Sequence, residues 1–198
     1  MIIPPTNSVR HIAALAWMCL VLTMNADAAS EKLLSDFQAT TNSPTWQVVN
    51  DDVMGGVSTS QFQRLTNGGA VFSGVVSLEN NGGFASVRTK PTELAIEAGD
   101  TIVVRAKGDG REYVLNIYTK SRRMAFSYRA PLPTTQDAWM EVRVPLEDFV
   151  PTAFGRRVQG MGSVEPDQIN GLGFMLSDKK PGKFKLEVEW VKVERAEK

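Results

Sequence analysis

From residue 70 onward, apolar residues recur at every second position in short runs cut by Gly, Pro, Asn and Asp. Phe72, Val76 and Leu78 share one face of a run over residues 70–79. The following Asn80-Asn81-Gly82-Gly83 predicts a tight hairpin, because Asn and Gly tolerate positive φ, with residues 84–90 as the return strand. Runs over 101–107, 112–119, 123–130 and 139–144 place Ile102, Val104 and Ala106, then Tyr113, Leu115 and Ile117, then Phe126 and Tyr128, then Met140, Val142 and Val144 inward. Leu172, Phe174 and Leu176 lie opposite Gly171 and Gly173, and Phe184, Leu186, Val188 and Trp190 alternate with Lys185, Glu187 and Glu189. No segment sustains a helical period. Leu33, Leu34 and Phe37 sit in a short polar leader, and residues 145–168 read as a structured loop with a short helix around 147–149. Many short strands with one covered face each predict an all-β domain of two packed antiparallel sheets.

The first 28 residues follow a different pattern. Arg10 and His11 precede the apolar run 12–22, and Ala26-Asp27-Ala28 closes it with small residues. This is the layout of a cleaved signal peptide of bacterial type, cut after Ala28, with residues 29–198 as one exported domain, periplasmic or secreted. The run falls short of the roughly 20 residues a membrane span needs. Cys19 follows the bulky Trp17-Met18 and reads as filler rather than a lipid-modified cysteine.

That assignment decides much of the chemistry. The one histidine (His11) and the one cysteine (Cys19) both lie in the leader, so the mature chain has neither. Disulfides, cysteine nucleophiles, Ser-His-Asp triads and histidine metal sites are thereby excluded from it. With 22 basic and 22 acidic residues, the chain lacks the electrostatic footprint of a nucleic-acid binder. No loop joins a Lys-Ser/Thr to a following helix, so no nucleotide cofactor is expected.

Candidate binding residues come from two Gly-rich motifs and a few cations. In Asp51-Asp52-Val53-Met54-Gly55-Gly56, the paired carboxylates would suit Ca²⁺, but the favoured reading is a capped turn whose glycines supply unusual backbone angles. Asn80, Asn81 and Phe84 would suit a glycan, through amides and a stacking ring; a turn chosen for geometry is the simpler reading. Residues 84–88 would line a groove on one sheet face with Arg88 as polar anchor. Arg122-Arg123 and Arg156-Arg157 are basic spots for an acidic partner, lipid headgroup or glycan, or are solvated loop charges. Trp46, Trp139 and Trp190 read as core or rim packing. Asp51, Asp52, Glu79 and Glu112 would be the acids of a glycoside hydrolase, although no spacing singles out a pair.

Four segments carry a family resemblance: Trp46 with Asp51 to Ser58; Phe72-Ser73-Gly74 with Leu78 to Arg88; Pro145 to Thr152 with Gly155-Arg156; and Gly171-Leu172-Gly173 with Gly182-Lys183-Phe184 to Trp190. In this order and spacing the chain resembles the complex I intermediate-associated protein 30 family. The resemblance implies a galactose-binding-like jelly-roll sandwich and a non-enzymatic role in assembly through protein contact. An export signal sets the chain apart from the mitochondrial members, since one fold hosts many functions. The leading expectation is a binding module without cofactor that contacts a protein partner in the periplasm. The alternatives are a carbohydrate-binding module and, behind it, a carboxylate-based hydrolase. The expected contact set is Asp51, Asp52, Asn80, Asn81, Phe84, Arg88 and Arg156.

Overall fold

The computed structural model describes residues 30–37, 43–66, 68–121 and 125–196; the leader and Arg122-Arg123 lie outside them. Among the described residues there are thirteen strands, four single 3-10 turns and no α-helix. The first sheet holds β1 (Glu31–Asp36), β3 (Thr59–Arg64), β4 (Ala70–Val76), β6 (Thr101–Lys107), β9 (Trp139–Pro145) and β13 (Gly182–Glu194), in the order β3-β4-β13-β6-β9. β1 pairs with β13 where β4 leaves off: Val76 to Ala70 face 182–188, and 31–36 face 194–190. The second sheet is β11 (Arg156–Arg157), β10 (Val150–Ala153), β8 (Phe126–Pro133), β7 (Glu112–Thr119), β12 (Ile169–Leu176), β5 (Ala85–Thr89) and β2 (Trp46–Val48), in that order. All these strand pairs are antiparallel.

The expected alternation builds the core. Phe72, Val76, Ile102, Val104, Ala106, Tyr113, Leu115, Ile117, Leu172, Phe174, Leu176, Phe184, Leu186 and Val188 are all buried between the sheets. Burying each large aliphatic or aromatic side chain contributes roughly 1.5–3 kcal/mol against chain entropy. Trp46 closes one end, stacked on Phe174 at 5.5 Å and on Phe62 at 5.1 Å, with Phe37 5.7 Å from both Trp46 and Phe62.

Several expectations change. The polar leader around Leu33 and Leu34 is a strand, β1, because the long β13 offers it a free edge. The Asn80–Gly83 turn does form, with φ of 54° at Asn80 and 58° at Asn81, yet it is not a hairpin: β4 belongs to the first sheet and β5 to the second. Leu78 falls past the end of β4 and is exposed. A register shift between Val188 and Trp190 turns Trp190 out of the core and puts Val191 and Val193 in its place. The helix around 147–149 is a single 3-10 turn, Leu146–Asp148.

Candidate functional site

Two places collect the sequence motifs, and they are built differently. At one end of the sandwich, Asp51 opens a 3-10 turn, Asp51–Met54, that ends on Gly55 at φ 89°. Its carboxylate is fully buried. Oδ1 accepts the Ser58 N–H at 2.9 Å; Oδ2 accepts the Ser58 hydroxyl at 2.6 Å, Gly83 N–H at 2.7 Å and Phe84 N–H at 3.2 Å. Burial alone would raise the Asp51 pKa, but these hydrogen bonds outweigh it and hold the carboxyl below its ordinary value. Ser58 relays the tie to β4 by accepting the Ser77 N–H at 3.0 Å. Asn50 does the same beside it, its Oδ1 accepting Ser60 Oγ at 2.7 Å and Ser86 N–H at 3.4 Å.

The two Gly-rich motifs are thus one structure, a carboxylate pin joining the 51–58 loop to the 82–84 crossing. Both acceptor oxygens of Asp51 are occupied by N–H and O–H donors, which leaves Asp52, exposed on the turn, to stand apart from it. Asn80 and Asn81 are exposed in the left-handed conformation. Around this pin Val53, Met54, Val57 and Leu78 are exposed, an apolar rim on the two joined loops. Glu79 stands exposed in the same loops. Among the described residues, no group of three His, Cys, Asp or Glu side chains is placed to hold a metal.

Arg88 lies elsewhere. The register places Gln47, Arg88, Gly173, Asn116, Arg129 and Val150 in one row across β2, β5, β12, β7, β8 and β10. Their inward neighbours Val87, Leu115, Leu172 and Phe174 are core, so this row is the outer face of the second sheet. Tyr118 stands on the same face of β7 opposite Gly171. Its ring covers both glycines: a Cβ on Gly171 would meet Tyr118 Cβ at 3.5 Å, and one on Gly173 would meet Tyr118 Cε2 and Arg88 Cβ at 3.0 Å. The Arg88 guanidinium lies 5.4 Å from the Tyr118 ring centre.

Arg129, on the other flank, donates from Nε to Ser127 Oγ at 3.1 Å, and Ser127 donates to Asn116 Oδ1 at 3.0 Å. Burial pushes the Tyr118 phenol up while the charges of Arg88 and Arg129 pull it down; the same desolvation lowers Arg129. Among the described residues neither Arg88 nor Arg129 has an ion-pair partner, whereas Arg105, Arg111, Arg143 and Arg195 all do.

From Arg129 a groove of about 450 Å³ runs past Val114, Pro131 and Thr152 to Glu112 and Asp178. Asp178 is held bidentately by Arg111, at 2.6 and 2.9 Å. Of the expected contact residues, then, Asp51, Phe84 and the Asn80-Asn81 turn come together, while Arg88 joins Tyr118 and Arg129. Arg156 lies exposed on the edge strand β11, away from both groups. Tyr118, Arg129, Asn116 and Ser127 escaped the sequence reading. The available signal was the pair of glycines at outward positions of β12, which mark a close approach from above.

The fold is a jelly-roll sandwich, with a groove on the second sheet that Arg129 joins to the Arg88–Tyr118 face. The chain matches the model of "Complex I intermediate-associated protein 30 (CIA30)" over residues 35–188, and it belongs to that family. The Drosophila melanogaster mitochondrial protein of that name is 26% identical over 181 residues, covering 80% of this chain and 61% of the relative. The Mus musculus protein is 27% identical over 170 residues, covering 75% and 51%. This chain therefore spans between about half and three-fifths of the length of those relatives.

Among solved structures, the family 11 carbohydrate-binding module of the cellulosomal cellulase Lic26A-Cel5E of Clostridium thermocellum aligns with a TM-score of 0.64. The identity is 20%, over 85% of this chain and 96% of that one. The same type of module in complex with a β-1,3-1,4-mixed-linked tetrasaccharide gives 0.62 at 19% identity, covering 84% and 96%. An agarase, AgWH50C, gives 0.58 at 9% identity, covering 84% of this chain and 25% of the enzyme. These likenesses establish the galactose-binding-like fold. No helix among the described residues is long and apolar enough to cross a membrane.

Proposed function

We propose that this chain is an exported, non-catalytic binding protein that seats a glycan across Arg88, Tyr118 and Arg129. The carrying observation is the outer face of the second sheet: two cations without carboxylate partners among the described residues flank an aromatic ring laid on a glycine floor. At Arg129 the row meets the groove, and a cleft beside a few polar groups is the ordinary form of a ligand seat. The face belongs to central strands whose backbone is already paired, so a ligand must be read by side chains rather than by strand addition. Catalysis finds less support. Asp51 is enclosed by donors and Asp178 is neutralised by Arg111, which leaves Glu112 as the exposed acid of the groove.

Affinity electrophoresis against a panel of neutral and acidic polysaccharides tests the reading. Retardation by at least one of them, lost in Tyr118→Ala, supports it; no retardation by any overturns it. Export has its own test. The intact mass of the protein recovered from a bacterial envelope fraction should correspond to a chain beginning at Ala29, and an uncut chain in the cytoplasm would reject it.

Protein contact, expected from the family, is the second reading. It is favoured by the exposed rim of Val53, Met54, Val57 and Leu78, because clustered exposed apolar side chains mark interaction surfaces. The rim and the groove are separate surfaces, so the two readings can be tested independently.

A further inference from the structure

We infer that the ligand of this face is an acidic glycan, with uronate-type carboxylates seated on Arg88 and Arg129. The inference rests on the glycan reading above and names its chemical class. The charge distribution of the face carries it. In most of this protein an arginine on a strand is answered across the sheet: Arg105 meets Glu141 and Glu189, and Arg143 meets Glu141 and Glu194. On the outer face of the second sheet this rule is suspended. Arg88 stacks on Tyr118 and Arg129 bonds to Ser127, and both keep donors uncommitted to any carboxylate among the described residues.

The same face carries further positive charge at one end. β5 and β7 both run antiparallel to β12, so they leave the sheet at the same end. Lys90 and Lys120, the next residues of outward parity after Arg88 and Tyr118, are exposed there without ion-pair partners among the described residues. The acids of the groove, Glu112 and the already paired Asp178, lie at the opposite end.

Geometry sets the form of the ligand. Arg88 and Arg129 lie three strands apart, roughly 14 Å along the row at about 4.8 Å per strand. Two planar forks at that separation, each suited to bidentate capture of a carboxylate, match a polymer with repeated acids better than a single small anion. Between them Ser127 and Asn116 are buried and bonded to each other, a support that fixes the Arg129 fork from below. Among the described residues, none of the exposed large apolar side chains rises from β5, β7, β8 or β12. A protein interface of ordinary strength would need such an anchor at its centre.

The deciding experiment compares one backbone with and without its charge. The purified protein is titrated calorimetrically with polygalacturonate, with fully methyl-esterified polygalacturonate, with neutral mixed-linked β-glucan and with poly-L-glutamate. The expected result is binding of polygalacturonate at least about tenfold tighter than of its ester, weakening with added salt. Arg88→Ala and Arg129→Ala should each cost about tenfold with the melting temperature held. Arg129→Lys, which keeps the charge but not the fork, covers the case in which the alanine variant unfolds, and should bind at an intermediate level.

Equal affinity for acid and ester would overturn the acidic class and leave the glycan seat standing. Binding of the neutral glucan with none of the acid would do the same. Binding of poly-L-glutamate in preference to both sugars would overturn the inference and the glycan reading together. Binding of none of the four would overturn the inference, while the wider polysaccharide panel would still judge the seat.

Discussion

A Cβ placed on Gly82 would stand 2.6 Å from Oδ2 of Asp51, closer than any real side chain could be tolerated. The carboxylate occupies the volume that any residue but glycine would need there. A Cβ on Gly56 meets the same carboxylate at 2.5 Å, from the other side. One glycine of each motif, Gly56 and Gly82, is therefore a spacer around one buried acid.

The clearest consequence concerns Gly82→Ala. The backbone at Gly82, with φ −67°, suits alanine, so the substitution isolates the clash from backbone strain. It should destabilise the protein by about 2 kcal/mol, which is a fall of roughly 6 °C in melting temperature for a domain of this size. Gly162→Ala, where nothing lies within 4 Å of the new methyl, should leave the melting temperature unchanged and serves as the control. Equal melting temperatures for the two variants would show that the Asp51 pin yields freely.

Acid should loosen the same pin. The folded pKa of Asp51 is held below its ordinary value of 3.8, so at acid pH the unfolded chain binds the proton more readily. Stability from this group is then complete above the unfolded pKa and is lost as pH falls through the folded one. Asp51→Asn should cost about 3 kcal/mol at pH 7, since an amide NH₂ would face the Gly83 and Phe84 N–H donors. The gap between variant and parent should narrow below about pH 4. Urea midpoints at pH 7, 5 and 3.5 measure it, and a gap constant with pH would contradict the assignment.

Arg111 and Asp178 form the best enclosed ion pair, their side chains 13% and 4% exposed. Asp178→Ala leaves the guanidinium on the backbone carbonyls of residues 180, 182 and 183 with its charge unanswered and should cost about 3 kcal/mol in chemical denaturation, whereas Arg111→Met with Asp178→Leu should recover most of that loss. Additive losses in the double variant would mean that the pair is uncoupled.

The apolar rim gives a prediction about contacts rather than stability. Val53→Glu with Met54→Glu changes two exposed side chains and should shift stability by less than about 0.5 kcal/mol. If the rim docks a partner protein, crosslinked adducts formed in the envelope should vanish in this variant while polysaccharide binding stays as it was. Adducts that persist would remove the rim from consideration.

Much of the fold was legible because period-two patterning is local. β6 and β7 fall where alternation put them, over 101–107 and 112–119. β3 was not seen, since TSQFQR offers Phe62 as its lone apolar residue and lies at a sheet edge. The 80–83 turn was read correctly as a turn and wrongly as a hairpin. Its geometry is local, but the choice of sheet for the next strand is made by distant pairings, β4 with β13 and β5 with β12. The same limit governed the site. Arg88 could be picked out beside its motif, but Tyr118 and Arg129 join it only through the order β5-β12-β7-β8, which no local pattern encodes.

The glycine floor under Tyr118 also restricts how this face could change over generations. A methyl on Gly173 would come within 2.6 Å of the Val87 carbonyl oxygen, part of the paired backbone, so the position cannot acquire a side chain without disturbing β5 itself. New preferences must instead be written around it, at the partly exposed Gln47, Arg88 and Arg129. A lineage could trade one ligand for another quickly by such steps, while the floor and the resting place of Tyr118 would stay as they are.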